Sequence, residues 1–243
     1  MYSFVKRALA MFFPQQNTCR ICHSWQDSGR FLCPVCEKKL LEKRMQHAIA
    51  LPQGAPIRRS RAVWQFSGKA RLLIYHLKYF SDPDIARFIG EWMSLLVQTH
   101  FAAETDVLIP VPLHHRREKE RGYNQAVLLA REISFHTGLA CCETALRRVR
   151  ATATLVEASR QERMTAMQGA FEADAAQVCG KRVLLIDDVF TTGATSMACA
   201  AALLAAGARD VSVVTACHAE DRRGGACHAR LPSAEGSCQP KAD

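Results

Sequence analysis

Val183-Leu184-Leu185-Ile186-Asp187-Asp188-Val189-Phe190-Thr191-Thr192-Gly193-Ala194-Thr195 is the stretch on which the fold turns. An apolar run ends in two adjacent carboxylates, a bend of hydroxyls and glycine follows, and a helix-forming run begins. Ligands of open α/β sheets sit beyond the carboxyl ends of the strands. A helix N-terminus placed there offers unpaired backbone N–H groups and a positive dipole end, which suit a phosphate. Gly193 lets the backbone come close to a ligand without a Cβ in the way. Thr191, Thr192 and Thr195 add hydroxyl donors, while Asp187 and Asp188 can accept from a vicinal diol or lean on a metal-bound water. Taken singly, the Asp pair reads as a solvated turn and Thr-Thr-Gly as a helix cap; the whole run reads as a ligand loop. A Walker A loop and a dinucleotide fingerprint are both absent.

The flanking pattern supplies the rest of the sheet. Val107-Leu108-Ile109 is a short buried run closing into Pro110-Val111-Pro112, and Val211 to Thr215 is another. Ala62 to Phe66 reads as a strand. Ala70, Leu73, Leu77 and Phe80 give Lys69–Phe80 a helical period, and a second helix follows over Ile85–His100, after Asp82-Pro83-Asp84. Ala126, Leu129, Ala130 and Ile133 predict another, and Thr195–Ala206 a last one with Gly207 at its C′ position. Arg147 to Arg163 is basic and poorly periodic and reads as a long mobile loop, and residues 46–60 read as a linker. Strands alternating with helices predict an α/β fold with a mostly parallel sheet covered on both faces.

Composition narrows the function. Lys and Arg outnumber Asp and Glu by 32 to 23, a net charge of +9 that favours anionic partners. No run is long and apolar enough to span a bilayer. Met1–Pro14 has Lys6 and Arg7 but no small-residue cleavage site, so it reads as a short amphipathic helix rather than an export signal. The eleven cysteines are an odd number and do not form a secreted disulfide framework. Cys179, Cys199 and Cys217 lie in apolar runs as small hydrophobes, and a reducing cytoplasm is expected. Cys19, Cys22, Cys33 and Cys36 form two Cys-x2-Cys knuckles, whose four thiolates can close around one tetrahedral Zn²⁺ as a structural site. The alternative is two redox pairs. The segment is too short for a core of its own, so a metal would supply its folding energy. His23, His47, His76, His100 and His218 lack ligand spacing.

The phosphate loop resembles the phosphoribosyl pyrophosphate signature of type I phosphoribosyltransferases. Together with the four cysteines, Leu77-Lys78-Tyr79, Ile109-Pro110-Val111-Pro112-Leu113-His114 and Arg121-Gly122-Tyr123-Asn124-Gln125-Ala126, it resembles the ComF/GntX family over residues 15–217. The resemblance implies a type I phosphoribosyltransferase-like domain over 60–219, an N-terminal helix and zinc ribbon over 1–50, and a loosely ordered tail over 220–243. It implies that Asp187 and Asp188 meet ribose hydroxyls and that Thr191, Thr192, Gly193, Ala194 and Thr195 cradle the 5′-phosphate. Pro112, Leu113 and His114, with Arg117, Arg148 and Arg163, would face pyrophosphate. Asp187, Asp188 and Arg121 would serve any catalysis, with Mg²⁺ carried by the ligand. Arg148, Arg150, Thr152 and Arg163 resemble the family's flexible loop, but Leu155 and Ala166 replace its usual Gln and Asn, so two polar loop contacts are missing.

The resemblance further implies a role in uptake or utilisation of DNA, with phosphoribosyl pyrophosphate or a similar sugar phosphate as ligand. Single-stranded DNA or a DNA-translocating helicase would be the partner. The setting would be the cytoplasm, compatible with recruitment to the inner face of the membrane. The competing expectation is a metabolic phosphoribosyltransferase acting on a nucleobase, and a weaker third is a sensor of the sugar phosphate. No aromatic base-stacking platform is visible in the sequence.

Overall fold

The computed structural model describes residues 18–26, 30–80, 82–150 and 160–219. The N-terminal helix read at Met1–Pro14, the tail 220–243, and Thr152 and Leu155 of the loop lie outside them. Among the described residues a four-stranded sheet has the order β1 (Ser60–Gln65), β6 (Asp210–His218), β5 (Arg182–Phe190), β2 (Val107–Pro110), and every neighbouring pair is parallel. Beyond β2, the Leu108 N–H donates to the Ala140 carbonyl and the Cys142 N–H to the Leu108 carbonyl, so residues 140–142 extend the sheet by one short parallel rung. A separate antiparallel pair, β3 (Leu146–Arg148) with β4 (Phe171–Ala173), stands apart from the main sheet.

Helices cover both faces, as parallel strands require when neither face can meet water. On one face lie α2 (Gly68–Tyr79), α3 (Pro83–His100) and α5 (Gln125–Thr137), whose Leu77, Ile89 and Leu129 share a cluster with Leu108, Leu184, Ile186 and Val214 of the sheet. On the other lies α8 (Ala194–Ala205), whose Cys199, Ala200 and Leu203 pack on Ile109, Val183, Leu185 and Val213. Successive residues of β5 therefore enter opposite clusters, the period of two expected of a pleated strand. The remaining helices are short: α1 (Pro34–Leu41), α4 (His115–Arg121), α6 (Arg160–Met167) and α7 (Ala175–Val178).

Local chemistry fixes the boundaries. Pro83 opens α3 and the Asp82 side chain accepts the Asp84 N–H at 3.0 Å, a capped start for the strongest amphipathic run in the chain. Asn124 caps α5 in the same way, and Gly138, at φ 73°, ends it. At the crossing of α3 and α5, Gly90 sits against Glu132 so closely that a Cβ there would overlap that side chain.

Three readings change. Residues 46–60 are no free linker: Ile49 and Ile57 are buried, the Ile49 N–H donates to Ser60, and the Arg58 N–H donates to Val211. Long-range packing overrides a turn-rich composition. The stretch 147–163 is not loop at its ends, since Arg147 and Arg148 belong to β3 and Arg160 opens α6. A three-residue strand shows too little alternation to be seen in sequence. The third change concerns β5, which does not stop at Ile186. It runs through both acids to Phe190, because β6 keeps pairing with it through Asp187↔Thr215 and Val189↔Cys217.

Candidate functional site

The loop after β5 is shaped by backbone before side chains enter. Gly193, at φ 78°, is the N-cap of α8. A Cβ there would lie 2.6 Å from Phe190 Cζ, so both conformation and space call for glycine. Thr192 is buried, and its hydroxyl receives the Ala194 N–H at 3.4 Å. The first-turn N–H groups of α8 have no acceptor inside the helix and lie at the carboxyl end of β5. Thr191 is exposed and Thr195 half-buried, so hydroxyls are available at this end.

The two acids sit in different surroundings. Asp188 is nearly buried, and Lys78 Nζ lies 2.9 Å from its Oδ2. Asp187 is half-buried, and its Oδ1 accepts the Asp188 N–H at 2.8 Å. Burial first, and then the adjacent Asp188 charge, push the Asp187 carboxyl up to about 7, despite the opposing pull of the Asp188 N–H and Lys78. Asp187 is thus poised to gain or lose a proton near neutral pH.

The basic residues converge on the same end of the sheet. Arg148 is half-buried, with its guanidinium 5.5 Å over the Phe171 ring. Burial and the nearby charge of Arg117 lower its basicity, and the Cys199 thiol lies within its field. Burial raises the Cys199 thiol, and the Asp187 charge adds to that rise, which ties Asp187, Cys199, Arg148 and Arg117 into one neighbourhood. The His114 imidazole is held below its usual range by desolvation, then by His115 and Arg148. Pro112 and Leu113 lie in the segment leading to it, which Asn124 Nδ2 steadies by donating to the Val111 carbonyl at 3.0 Å. Arg163 belongs to α6, but its side chain is outside the described residues. Ala166, where the resemblance expects Asn, presents only its carbonyl, which Arg150 Nη2 reaches at 3.0 Å.

Arg121 stands beside Arg117 and Lys78. It lines an open cleft of about 480 Å³ with Lys78, Tyr79, Arg117 and Glu120. Its Nη1 donates to Gln125 Oε1 at 2.9 Å, and its guanidinium lies 5.6 Å over the Tyr79 ring. The Tyr123 hydroxyl donates to the Leu77 carbonyl at 2.5 Å, which pins the end of α2 that carries Lys78. The sequence motifs at 77–79 and 121–126 are therefore two sides of one contact. No local signal in the sequence could pair Lys78 with an acid 110 positions away.

The four N-terminal cysteines come together, with all four sulfurs within 4.8 Å of one another. Cys22 and Cys33 sulfurs are 3.7 Å apart. A tetrahedron of thiolate bonds about 2.3 Å long places its sulfurs about 3.8 Å apart, so the set fits a structural zinc ion. Burial pushes the Cys22 thiol up, but hydrogen bonds from Ser24, Cys19 and Cys36 outweigh it and bring it down to about 6, in the direction of the thiolate that a metal takes. The Cys33 sulfur also accepts the Cys36 N–H at the start of α1. This unit shares the main core: Phe31 stacks on Phe88 at 4.5 Å, and Arg20 pairs with Asp84 at 3.1 Å and Asp82 at 3.6 Å.

Among known proteins, DNA utilization protein YhgH of Escherichia coli O157:H7 is 31% identical over 204 residues, covering 82% of this chain and 89% of that protein. Competence protein ComFC of Bacillus subtilis is 26% identical over 214 residues, covering 83% of each. Among solved structures, glutamine phosphoribosylpyrophosphate amidotransferase from B. subtilis, complexed with ADP and GMP, is 26% identical over 57% of this chain and 30% of that one, with a TM-score of 0.40. No family model matches the chain.

Proposed function

We propose a function from one premise: this chain belongs to the ComF/GntX family. Its reading is a protein that binds phosphoribosyl pyrophosphate, or a closely related sugar phosphate, in support of DNA uptake or utilisation. The observation that carries the ligand is the paired acids of β5 leading through a left-handed glycine into the N-terminus of α8. Asp187 and Asp188 would accept from the ribose hydroxyls. The 191–195 turn would hold the 5′-phosphate on N–H and hydroxyl donors. Arg117 and Arg148, with His114, would face the pyrophosphate and the Mg²⁺ that accompanies it. The names carried by relatives, DNA utilization and competence, support the DNA role. A structural zinc at Cys19, Cys22, Cys33 and Cys36 is part of the same reading. No helix among the described residues is long and apolar enough to cross a membrane. The proposal places the protein in the cytoplasm, compatible with recruitment to the inner face of the membrane.

Calorimetric titration with phosphoribosyl pyrophosphate and Mg²⁺ tests the ligand. Binding is expected for the wild type and absent in the Asp187→Ala plus Asp188→Ala variant, whose far-ultraviolet dichroism stays native. Ordinary binding by that variant defeats the assignment.

Arg148 and Asp187 both act on the Cys199 thiol, and Arg117 stands near Arg148; this arrangement favours a second reading, transfer of phosphoribose to a nucleobase. The bond from ribose C1 to the pyrophosphate oxygen would break, its electron pair leaving with pyrophosphate. A base nitrogen would bond to C1 and give up a proton. The arginines would stabilise the charge growing on the leaving group. Leu155 and Ala166 remove two polar contacts from the loop that would exclude water, which weighs against efficient turnover. Labelled phosphoribosyl pyrophosphate with a panel of bases decides: nucleotide that disappears in Asp187→Asn supports transfer, and none at all confines the protein to binding.

A further inference from the structure

The outer face of α2 carries a feature that the sugar-phosphate reading does not use. Arg71, Tyr75 and Tyr79 are exposed and spaced by four, so they form one ridge about 12 Å long on the helix surface. Phe80 joins it at the helix end, with 54% of its surface exposed beside 60% for Tyr79. The rings are mutually packed: Tyr75 lies 4.8 Å from Tyr79 and 5.8 Å from Phe80, and His76 stacks on Phe80 at 4.8 Å. Arg121 covers one side of Tyr79, and beyond it opens the cleft lined by Lys78 and Arg117. Other exposed large apolar side chains, such as Trp25, Leu95 and Phe135, stand on separate elements.

Contiguous exposed rings on a soluble surface mark a binding site. Cations at both ends of the ridge select an anionic partner, and flat rings select one with π-faces to offer. We propose that this ridge binds single-stranded nucleic acid, with bases stacked on Tyr75, Tyr79 and Phe80 and the backbone led between Arg71 and the Arg117–Arg121 cleft. A duplex hides the faces of its bases inside the stack, so the rings discriminate against it. The inference rests on the proposed DNA role and gives it a surface. The ridge leads into the cleft beside Asp188, so strand and sugar phosphate would occupy adjoining sites.

The test uses the full chain with its metal, a labelled oligothymidylate, and fluorescence anisotropy. The wild type should bind the single strand at least about tenfold more tightly than a duplex of equal length. Tyr75→Ala plus Phe80→Ala should weaken single-strand binding by about tenfold or more, since each stacked base contributes on that order. Tyr75→Phe plus Phe80→Tyr, which keeps both rings, should bind as the wild type. Arg71→Gln should lower the slope of log affinity against log salt by about 0.7, the value for one lost phosphate contact on a single strand. Calorimetry with phosphoribosyl pyrophosphate separates this idea from the ligand assignment: the Tyr75→Ala plus Phe80→Ala protein should still bind it. Asp187→Ala plus Asp188→Ala should lose the sugar phosphate yet keep the oligonucleotide. Equal affinity for duplex and single strand, no oligonucleotide binding by the wild type, full binding by the ring-deleted protein, or loss in the ring-swapped one would overturn the proposal.

Discussion

Lys78 and Asp188 come from opposite ends of the domain and meet at 2.9 Å with little solvent around the carboxylate. Removing one member of a buried pair costs about 3–5 kcal/mol, because the other charge is left without compensation. Lys78 keeps 25% of its side chain in water, so Lys78→Met should cost less, about 1–3 kcal/mol, in urea unfolding. Lys78→Met with Asp188→Asn should recover part of that loss, and strictly additive costs would show that the pair is not coupled. Asp187 gives a pH signature. Its folded carboxyl titrates near 7, above its ordinary value of 3.8, so between these limits the folded state holds more proton than the unfolded chain. Its contribution to stability is therefore complete below about 4 and lost as pH rises through about 7. Chemical denaturation of wild type and Asp187→Asn across this window should show the wild type losing stability relative to the variant as pH rises. A constant difference would remove the shifted group from the account.

Elements meet through a few tight places. The α3–α5 crossing depends on Gly90, whose missing side chain lets Glu132 of α5 lie against the α3 backbone. Gly90→Leu should overpack this crossing and cost about 1–3 kcal/mol, read from the thermal or urea midpoint. An unchanged midpoint would mean that the helices separate freely. This contact is illegible in sequence, where Gly90 is only a glycine inside a helical period. By contrast, the period itself was sufficient for α2, α3, α5 and α8, because long amphipathic or apolar runs leave little choice of structure. The strand β3 is illegible in sequence because three residues carry almost no pattern. The end of β5 is equally illegible, because its pairing partner, β6, lies beyond α8 in the chain.

Across the whole molecule, the cysteine unit, α2 and the acids of β5 form one mechanical path. The ribbon's Cys36, Leu40 and Leu32 share a core with Leu73 and Leu77 of α2, and α2 delivers Lys78 to Asp188. Stripping the metal should first unlock the ribbon, then loosen α2. The expected outcome is one zinc per chain by elemental analysis, a lower melting temperature after chelation, and affinity for phosphoribosyl pyrophosphate reduced by about fivefold, the low end of ordinary coupling between sites. Chelated protein that binds with unchanged affinity would make the ribbon an independent appendage.

The residues alone determined the α/β class, the parallel strands, the glycine bend that joins β5 to α8 and the clustering of the four cysteines. Each of these rests on short-range pattern: an apolar run, a helical period, a glycine at a bend, two cysteine knuckles. Only the tertiary structure decided that Lys78 guards Asp188, that Arg148 stands near both Arg117 and the Cys199 thiol, and that Tyr75, Tyr79 and Phe80 gather into an exposed ridge. Those outcomes depend on which helix faces turn inward, and that is set by the sheet they pack against rather than by their neighbours in the chain.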